Sequence, residues 1–499
     1  MRRKKAIRNI FFSFLLEGFS LISGLIIPKV MISAFGSETN GMVNSIASFV
    51  GYIALLQSGM GSVAKAALYK PLAEKDSNRL NTLIATIESF FRKIAFATIV
   101  YVLLLSWLYP TVIARQWDFL YVASLVIIIG IGTIAQYYFG ITYQMLVEAD
   151  QNSYIYSIIQ SAAIVLNALL VVFFVKIGSS IQTVKLVSAS VFLLRPVCLN
   201  LYVRKKYRIN TKVPQDKTLL NQRWDGFMQA IAYFIHSKTD VLVLTLLSSF
   251  TNVSIYGVYA MINTALAAMV KTVDKAMGAV FGNIYALSET NKLKKSFQTY
   301  TTLSHMITTI LFSTAAVTAC SFVDVYTREF SDANYVQPIF SIMIISAEMV
   351  YCLRLAYNSL IYAAGKFRET RNAAIIEAII NIVLSCILVP KLGLVGVAAG
   401  TLIAMVYRNI HFICFLKNNI VYLNLGEQIK RYAVSVISYG LFIIVLGKIT
   451  VAIDSYLSWL LYASAVFVTI TILTLLINYL FYKEDIRDIF STIRRKRNR

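Results

Sequence analysis

The chain has 499 residues, 58% of them hydrophobic and 14% charged, and a net charge of +23. A soluble domain carries roughly a quarter charged residues, so a water-soluble globule is excluded, and the apolar runs lack the alternation of a transmembrane β-barrel. A mean hydropathy of +0.67 and recurring apolar runs of about 20 residues predict an all-α polytopic membrane protein with about 14 transmembrane helices.

In chain order, the basic N-terminus from Met1 to Arg8 leads into an apolar stretch reaching Phe35. That stretch is too long for a signal-peptide core and has no clear small-x-small cleavage site, so it reads as an uncleaved first span. The expected spans are 7–35, 41–68, 83–107, 119–146, 154–175, 181–203, 224–249, 253–286, 297–322, 336–364, 372–389, 394–416, 432–451 and 456–482. The five cysteines are scattered singly, with no CxxC or Cys/His spacing, and read as packing residues. No metal and no cofactor are expected.

Lysine and arginine in the connections fall 31 on the side of the N-terminus and 5 on the other. The positive-inside rule then places both termini in the cytoplasm and requires an even number of spans. The same asymmetry makes the net positive charge topological, and no nucleic-acid partner is expected. Outer connections are short and leave no room for a folded external domain. The expected organisation is an N-terminal lobe 1–203, a basic cytoplasmic linker 204–223, a C-terminal lobe 224–417, two appended helices within 418–482 and a basic tail 483–499.

The two lobes repeat one another. Ala149, Asn167, Lys176-Ile177-Gly178 and Arg195 line up with Gly365, Asn381, Lys391-Leu392-Gly393 and Arg408, and Tyr69 lines up with Tyr285. Each half therefore reads as a polar turn, an apolar helix with a buried Asn, an outer K-x-G turn and a helix carrying an Arg. Two six-helix lobes in the same orientation form the parallel-repeat plan of transporters whose substrate site lies between repeats.

The stretch ISGLIIPKVMISAFGSETNGMVNSIASFVGYIALLQSGMGSVAKAALYKPLAEKD from Ile22, and SKTDVLVLTLLSSFTNVSIYGVYAM from Ser237, resemble Wzx-type oligosaccharide flippases. That group belongs to the superfamily (MOP, or MATE-like) that includes multidrug exporters and lipid II flippases. The resemblance runs from Asn9 to about Tyr482. It implies two six-helix lobes facing each other in a V, with helices 1, 2, 7 and 8 lining a central cavity. It also implies an undecaprenyl-diphosphate-linked oligosaccharide as substrate, moved from the inner to the outer leaflet of the bacterial cytoplasmic membrane. Membrane lipids, a polysaccharide polymerase and glycosyltransferases are the partners that such a role implies.

Eleven basic residues remain inside spans, where a charge is costly and a functional candidate by default. On the eighth span Tyr256, Asn263, Lys271, Asp274, Gly278 and Tyr285 share one face, with Lys275 at its edge. The second span has a matching stripe of Asn40, Asn44, Gly51, Ser58, Ser62, Lys65 and Tyr69. Lys271, Lys238, Lys65, Lys29 and Lys275, with Asn263, are the candidate substrate-binding set, because lysine is a point-charge partner for a diphosphate. The alternative is local neutralisation: Lys271 and Lys275 by Asp274, Lys238 by Asp240.

Other charges read more plainly. Glu88 and Arg92 are an i,i+4 pair. Arg195 and Arg408 are matched structural or headgroup anchors, and Arg354 with Glu348 either extends a polar route or pairs between helices. His236 and His411 are lone core histidines. Asp240, Glu17 and Glu377 are the intramembrane acids able to take up a coupling proton or sodium ion. A MATE-like cation exporter would need a predominantly acidic and aromatic site, which the lysines oppose. A lipid II flippase fits the charges as well. A polysaccharide polymerase or ligase would need an outer catalytic loop that this chain lacks, so no enzyme activity is expected.

Overall fold

Several helices start on side-chain caps: Asp76, Asp118, Ser180 and Asn424 each accept a hydrogen bond from a first-turn backbone amide. The computed structural model describes residues 2–57, 60–216, 239–366, 369–420, 424–449 and 451–497. Within them run α1 Arg2–Gly51, α2 Met60–Glu74, α3 Ser77–Leu108, α4 Phe119–Ala135, α5 Ile141–Ala149, α6 Ser153–Lys176 and α7 Ile181–Tyr207. After a helical stretch at 239–247 come α8 Phe250–Ala286, α9 Thr290–Thr327, α10 Pro338–Leu353, α11 Leu355–Ala363, α12 Arg371–Leu392 and α13 Leu394–Asn419. The last helices are α14 Leu425–Leu446, α15 Tyr456–Phe481 and α16 Lys483–Arg497.

Twelve helical stretches among the described residues are long and apolar enough to cross a membrane. Two expected spans merge in the first of them, where a kink at Gly36 separates two helices. Its φ of 81° with ψ of 165° is a conformation open to glycine and costly for a residue with a Cβ. The expected span 224–249 lies outside the described residues except for its end. Large apolar side chains stand exposed on the helices, among them Phe14 at 64%, Leu120 at 74% and Leu480 at 79%. In water this would be a liability. On a multi-pass membrane protein it is the surface that lipid covers.

The chain divides into two compact units, Met1–Ser254 and Ile255–Arg499. In the first, Met60, Leu83, Ile84, Ile87, Phe91 and Leu146 form a core between α2, α3 and α5. In the second, Phe281, Phe297, Tyr357 and Phe412 join α8, α9, α11 and α13. The described part of the linker lies along α3: Arg79 pairs with Asp216 at 2.7 Å, and the Asp216 amide donates to Thr86.

Local geometry repeats between the units. The turns after α6 and α12 place Gly178 at φ +77° and Gly393 at φ +53°, each following a lysine in the helix's last turn. Asn167 and Asn381 are both buried. Asn381 donates to Thr401 across the α12–α13 pair. Gly400 makes that approach possible, since a Cβ there would lie 2.5 Å from Ser385 Oγ.

Candidate functional site

The first unit holds an open cavity of about 1090 Å³. Its geometry begins with a break. Between α4 and α5 the chain makes one wide turn over Gln136–Gly140, the single-turn π-type irregularity often found at functional sites. Gly140 lets α7 approach here, because a Cβ would lie 2.7 Å from Pro196 Cβ. Arg195, the residue before that proline, is thereby brought against Gln136.

A ladder of side chains follows along the cavity wall. Arg195 donates to Gln160 Oε1 at 2.6 Å and to Gln136 Oε1 at 2.9 Å. Gln136 donates to Gln144 at 3.4 Å, and Gln144 donates to Glu148 at 2.9 Å. Glu148 pairs with Lys65 of α2. Donors all point from Arg195 toward the carboxylate, an orientation in which successive bonds polarise one another. Every member of the ladder lines the cavity.

Its charges do not cancel. Lys65 is met by Glu148. Among the described residues Arg195 is held by amide oxygens and the nearby Phe192 ring, and by no carboxylate. Its buried Nε has no hydrogen-bond partner among them. Two cations against one carboxylate leave the ionisable wall one positive charge in excess. A cavity of that sign attracts an anion.

The second unit builds the same place differently. Arg354 sits at the break between α10 and α11, as Gln136 does after α4. It pairs with Glu377 at 2.7 Å, and Arg408 reaches the other oxygen of Glu377 at 3.5 Å while donating to the Thr370 carbonyl. All three are buried. Arg354 thus has an ion-pair partner in Glu377 of α12. Glu377, expected as a coupling acid, is here the shared counterion of two arginines.

On α8, Asp274 does not neutralise Lys271 or Lys275. Its carboxylate accepts from Tyr300 at 3.1 Å and Ser359 at 2.5 Å, and Lys271 lies 4.8 Å from the centre of the Tyr351 ring. Asn263 is buried and donates to the Ile344 carbonyl at 3.0 Å, while its Oδ1 has no hydrogen-bond partner among the described residues. Among the other expected residues, Lys29 is half-buried and Glu17 exposed on α1, Asp240 is buried, and Lys275 is exposed. Asn40 is buried and donates to Ser254. Lys238, His236 and Ser58 lie outside the described residues. Glu88 and Arg92 form their i,i+4 pair.

The structure thus joins Lys65 to a ladder whose other members were read as anchors or not singled out. Gln136, Gln144, Glu148 and Gln160 escaped because each looks unremarkable singly. The available signal was their joint presence in apolar helices, with Gln144 and Glu148 four residues apart.

The sequence matches no protein-family profile and no curated protein. Solved structures do match. The lipid II flippase MurJ, in an inward closed conformation, superposes with a TM-score of 0.71 at 15% identity, covering 96% of this chain and 100% of its own. An inward-facing multidrug resistance MATE transporter of the MOP superfamily gives 0.57 at 13% identity, covering 80% and 96%. A MOP superfamily transporter from Pyrococcus furiosus, described by the reversed polarity of its binding pocket, gives 0.57 at 13%, covering 83% and 96%. The chain has the fold of these transporters. MurJ, whose whole length is matched, also spans nearly all of this chain, whereas the MATE transporter leaves a fifth of it uncovered.

Proposed function

We propose that this protein is a flippase that carries a polyprenyl-diphosphate-linked oligosaccharide from the inner to the outer leaflet of a bacterial cytoplasmic membrane. The observation that carries the reading is Arg195: a guanidinium in an open intramembrane cavity, held by neutral amides and, among the described residues, lacking a carboxylate. Leaving a cation so placed is costly unless an anionic guest offsets it. A diphosphate headgroup provides two or more charges and the oxygens that a guanidinium binds bidentately. The likeness to MurJ supports a lipid-linked cargo, and the apolar outer helices suit a prenyl tail that stays in lipid.

Lys65 and Arg195 form the headgroup site of the first unit in this proposal. Lys271, Lys29, Lys275 and Lys238 remain the candidate cations for the rest of the path. Both termini lie in the cytoplasm, as the 31 to 5 distribution of basic residues supports. A MATE-like exporter of organic cations is the poorer reading, because an excess positive charge in the cavity repels such cargo.

The test is reconstitution in liposomes with a fluorescent lipid-linked oligosaccharide diphosphate in the inner leaflet. Wild-type protein should expose the label to a membrane-impermeant quencher, Arg195→Ala should lose at least nine-tenths of that rate, and Arg195→Lys should keep part of it. Wild-type transport of an organic cation with no flipping of the diphosphate lipid would overturn the assignment.

A further inference from the structure

The second unit contains a buried carboxylate that neither the ladder nor its counterpart uses. Asp274 is 9% exposed. At about 1.5 Å per residue it sits roughly 18 Å along α8 from the Ala286 end, well inside the span. Its two oxygens receive the Tyr300 hydroxyl of α9 at 3.1 Å and the Ser359 hydroxyl of α11 at 2.5 Å. No lysine, arginine or histidine pairs with it among the described residues. One turn on, Gly278 leaves space beside the carboxyl: a Cβ there would meet only Ser359, nothing nearer than its Oγ at 3.8 Å.

A carboxylate without a cation in such a place is costly when charged. Two hydroxyl donors lessen the cost without removing it. The same cage accepts the neutral acid at once, because either hydroxyl can turn its proton away and accept one from the carboxyl. We infer that Asp274, caged by Tyr300 and Ser359, is a proton-binding site of the second unit, taking one proton from water onto a carboxylate oxygen and returning it. A metal cation fits less well, since both carboxylate oxygens are already capped by hydroxyls.

The charged neighbours set what the site responds to. On α8 itself Lys271 is one turn before Asp274, turned to the Tyr351 ring, and Lys275 follows it, exposed. From α9, Tyr300 is the titratable group that faces it. From α11 it faces Ser359, with Arg354 at the start of that helix already committed to Glu377. On α10, Cys352 is buried within electrostatic reach of Asp274, Lys271, Arg354 and Glu348. Glu377 is held by two arginines, which leaves Asp274 the better-placed acid to gain a proton. This site goes beyond the flippase reading and does not depend on the cargo.

The test is an infrared pH titration of the purified full-length protein in detergent, with no substrate present. Acidification should raise a protonated-carboxyl band that Asp274→Asn removes. Tyr300→Phe and Ser359→Ala each delete one hydrogen bond to the charged form and should bind the proton about tenfold more tightly, moving the midpoint up by about one pH unit. These two variants keep the test decisive should Asp274→Asn fail to fold. A band unchanged in Asp274→Asn, midpoints unmoved in both hydroxyl variants, or no titrating band at all would each overturn the proposal. So would sodium at constant pH abolishing the band, which would assign the carboxylate to a metal cation.

Discussion

Arg408 meets Glu377 at 3.5 Å, where its repeat counterpart Arg195 meets the amide of Gln160 at 2.6 Å. The two arginines follow equivalent turns on α7 and α13, yet among the described residues a counterion is found for Arg408 and none for Arg195. Substituting a carboxylate for the amide, Gln160→Glu, would set a carboxylate against Arg195, as Glu377 stands against Arg408. Arg195 would then be neutralised in place. Binding of a diphosphate anion should fall at least tenfold, since a charge-assisted hydrogen bond contributes about 1.5–3 kcal/mol, while thermal stability is kept or rises. Titration of the purified protein with inorganic pyrophosphate measures the first quantity and a melting curve in detergent the second. Unchanged binding would show that Arg195 does not face the anion.

The reverse substitution in the second unit has the opposite signature. Glu377→Gln leaves Arg354 and Arg408 buried together without a carboxylate, which costs about 3–5 kcal/mol when one partner of a buried pair is removed. The melting temperature in detergent should drop by many degrees, and Arg354→Met combined with Glu377→Gln should recover part of the loss. A melting temperature unchanged in Glu377→Gln would mean that water reaches the cluster.

Much of the fold was legible because the bilayer imposes it. Apolar length marks the spans, and lysine-glycine turns such as Lys176-Ile177-Gly178 mark their ends, so the boundaries of α6, α7, α12 and α13 agree with expectation to within a few residues. The break at Gln136–Gly140 was not legible. It depends on α7 approaching through Gly140, a tertiary contact with no local signature. The site divided along the same line. Lys65 stood out as a charge in an apolar helix. Its partner Glu148 lay at the edge of a polar turn in the sequence and enters the cavity only through the path of α5. Asn263 shows the limit of periodicity, which finds a polar face but not the Ile344 carbonyl that the amide meets on another helix.

Topology has a direct readout. Reporter fusions after Gln215 and at the C-terminus should both register as cytoplasmic, from the excess of basic residues on that side. A fusion within 176–180 should register as external. An external signal at Gln215 would overturn the orientation.

The remaining prediction concerns the ion pair between Lys65 and Glu148. Glu148 occupies the lysine as an anionic guest would, and Gln144 donates to the same carboxylate at 2.9 Å. An entering diphosphate must therefore displace a carboxylate that is already well held, which disfavours weak monoanions and admits multiply charged ones. Glu148→Gln frees Lys65 and raises the cavity's excess from one positive charge to two. Pyrophosphate binding to the purified protein should tighten by about tenfold, on the scale of one charge-assisted hydrogen bond, and discrimination against acetate should shrink. Added salt should weaken the gain, because the cavity is open to water. Lys65→Ala should weaken pyrophosphate binding, and in the Lys65→Ala and Glu148→Gln double variant the gain should vanish. That non-additivity is what a direct pair requires. If Glu148→Gln tightens binding equally with and without Lys65, the carboxylate acts on the anion by simple repulsion and the pair is not a selectivity device.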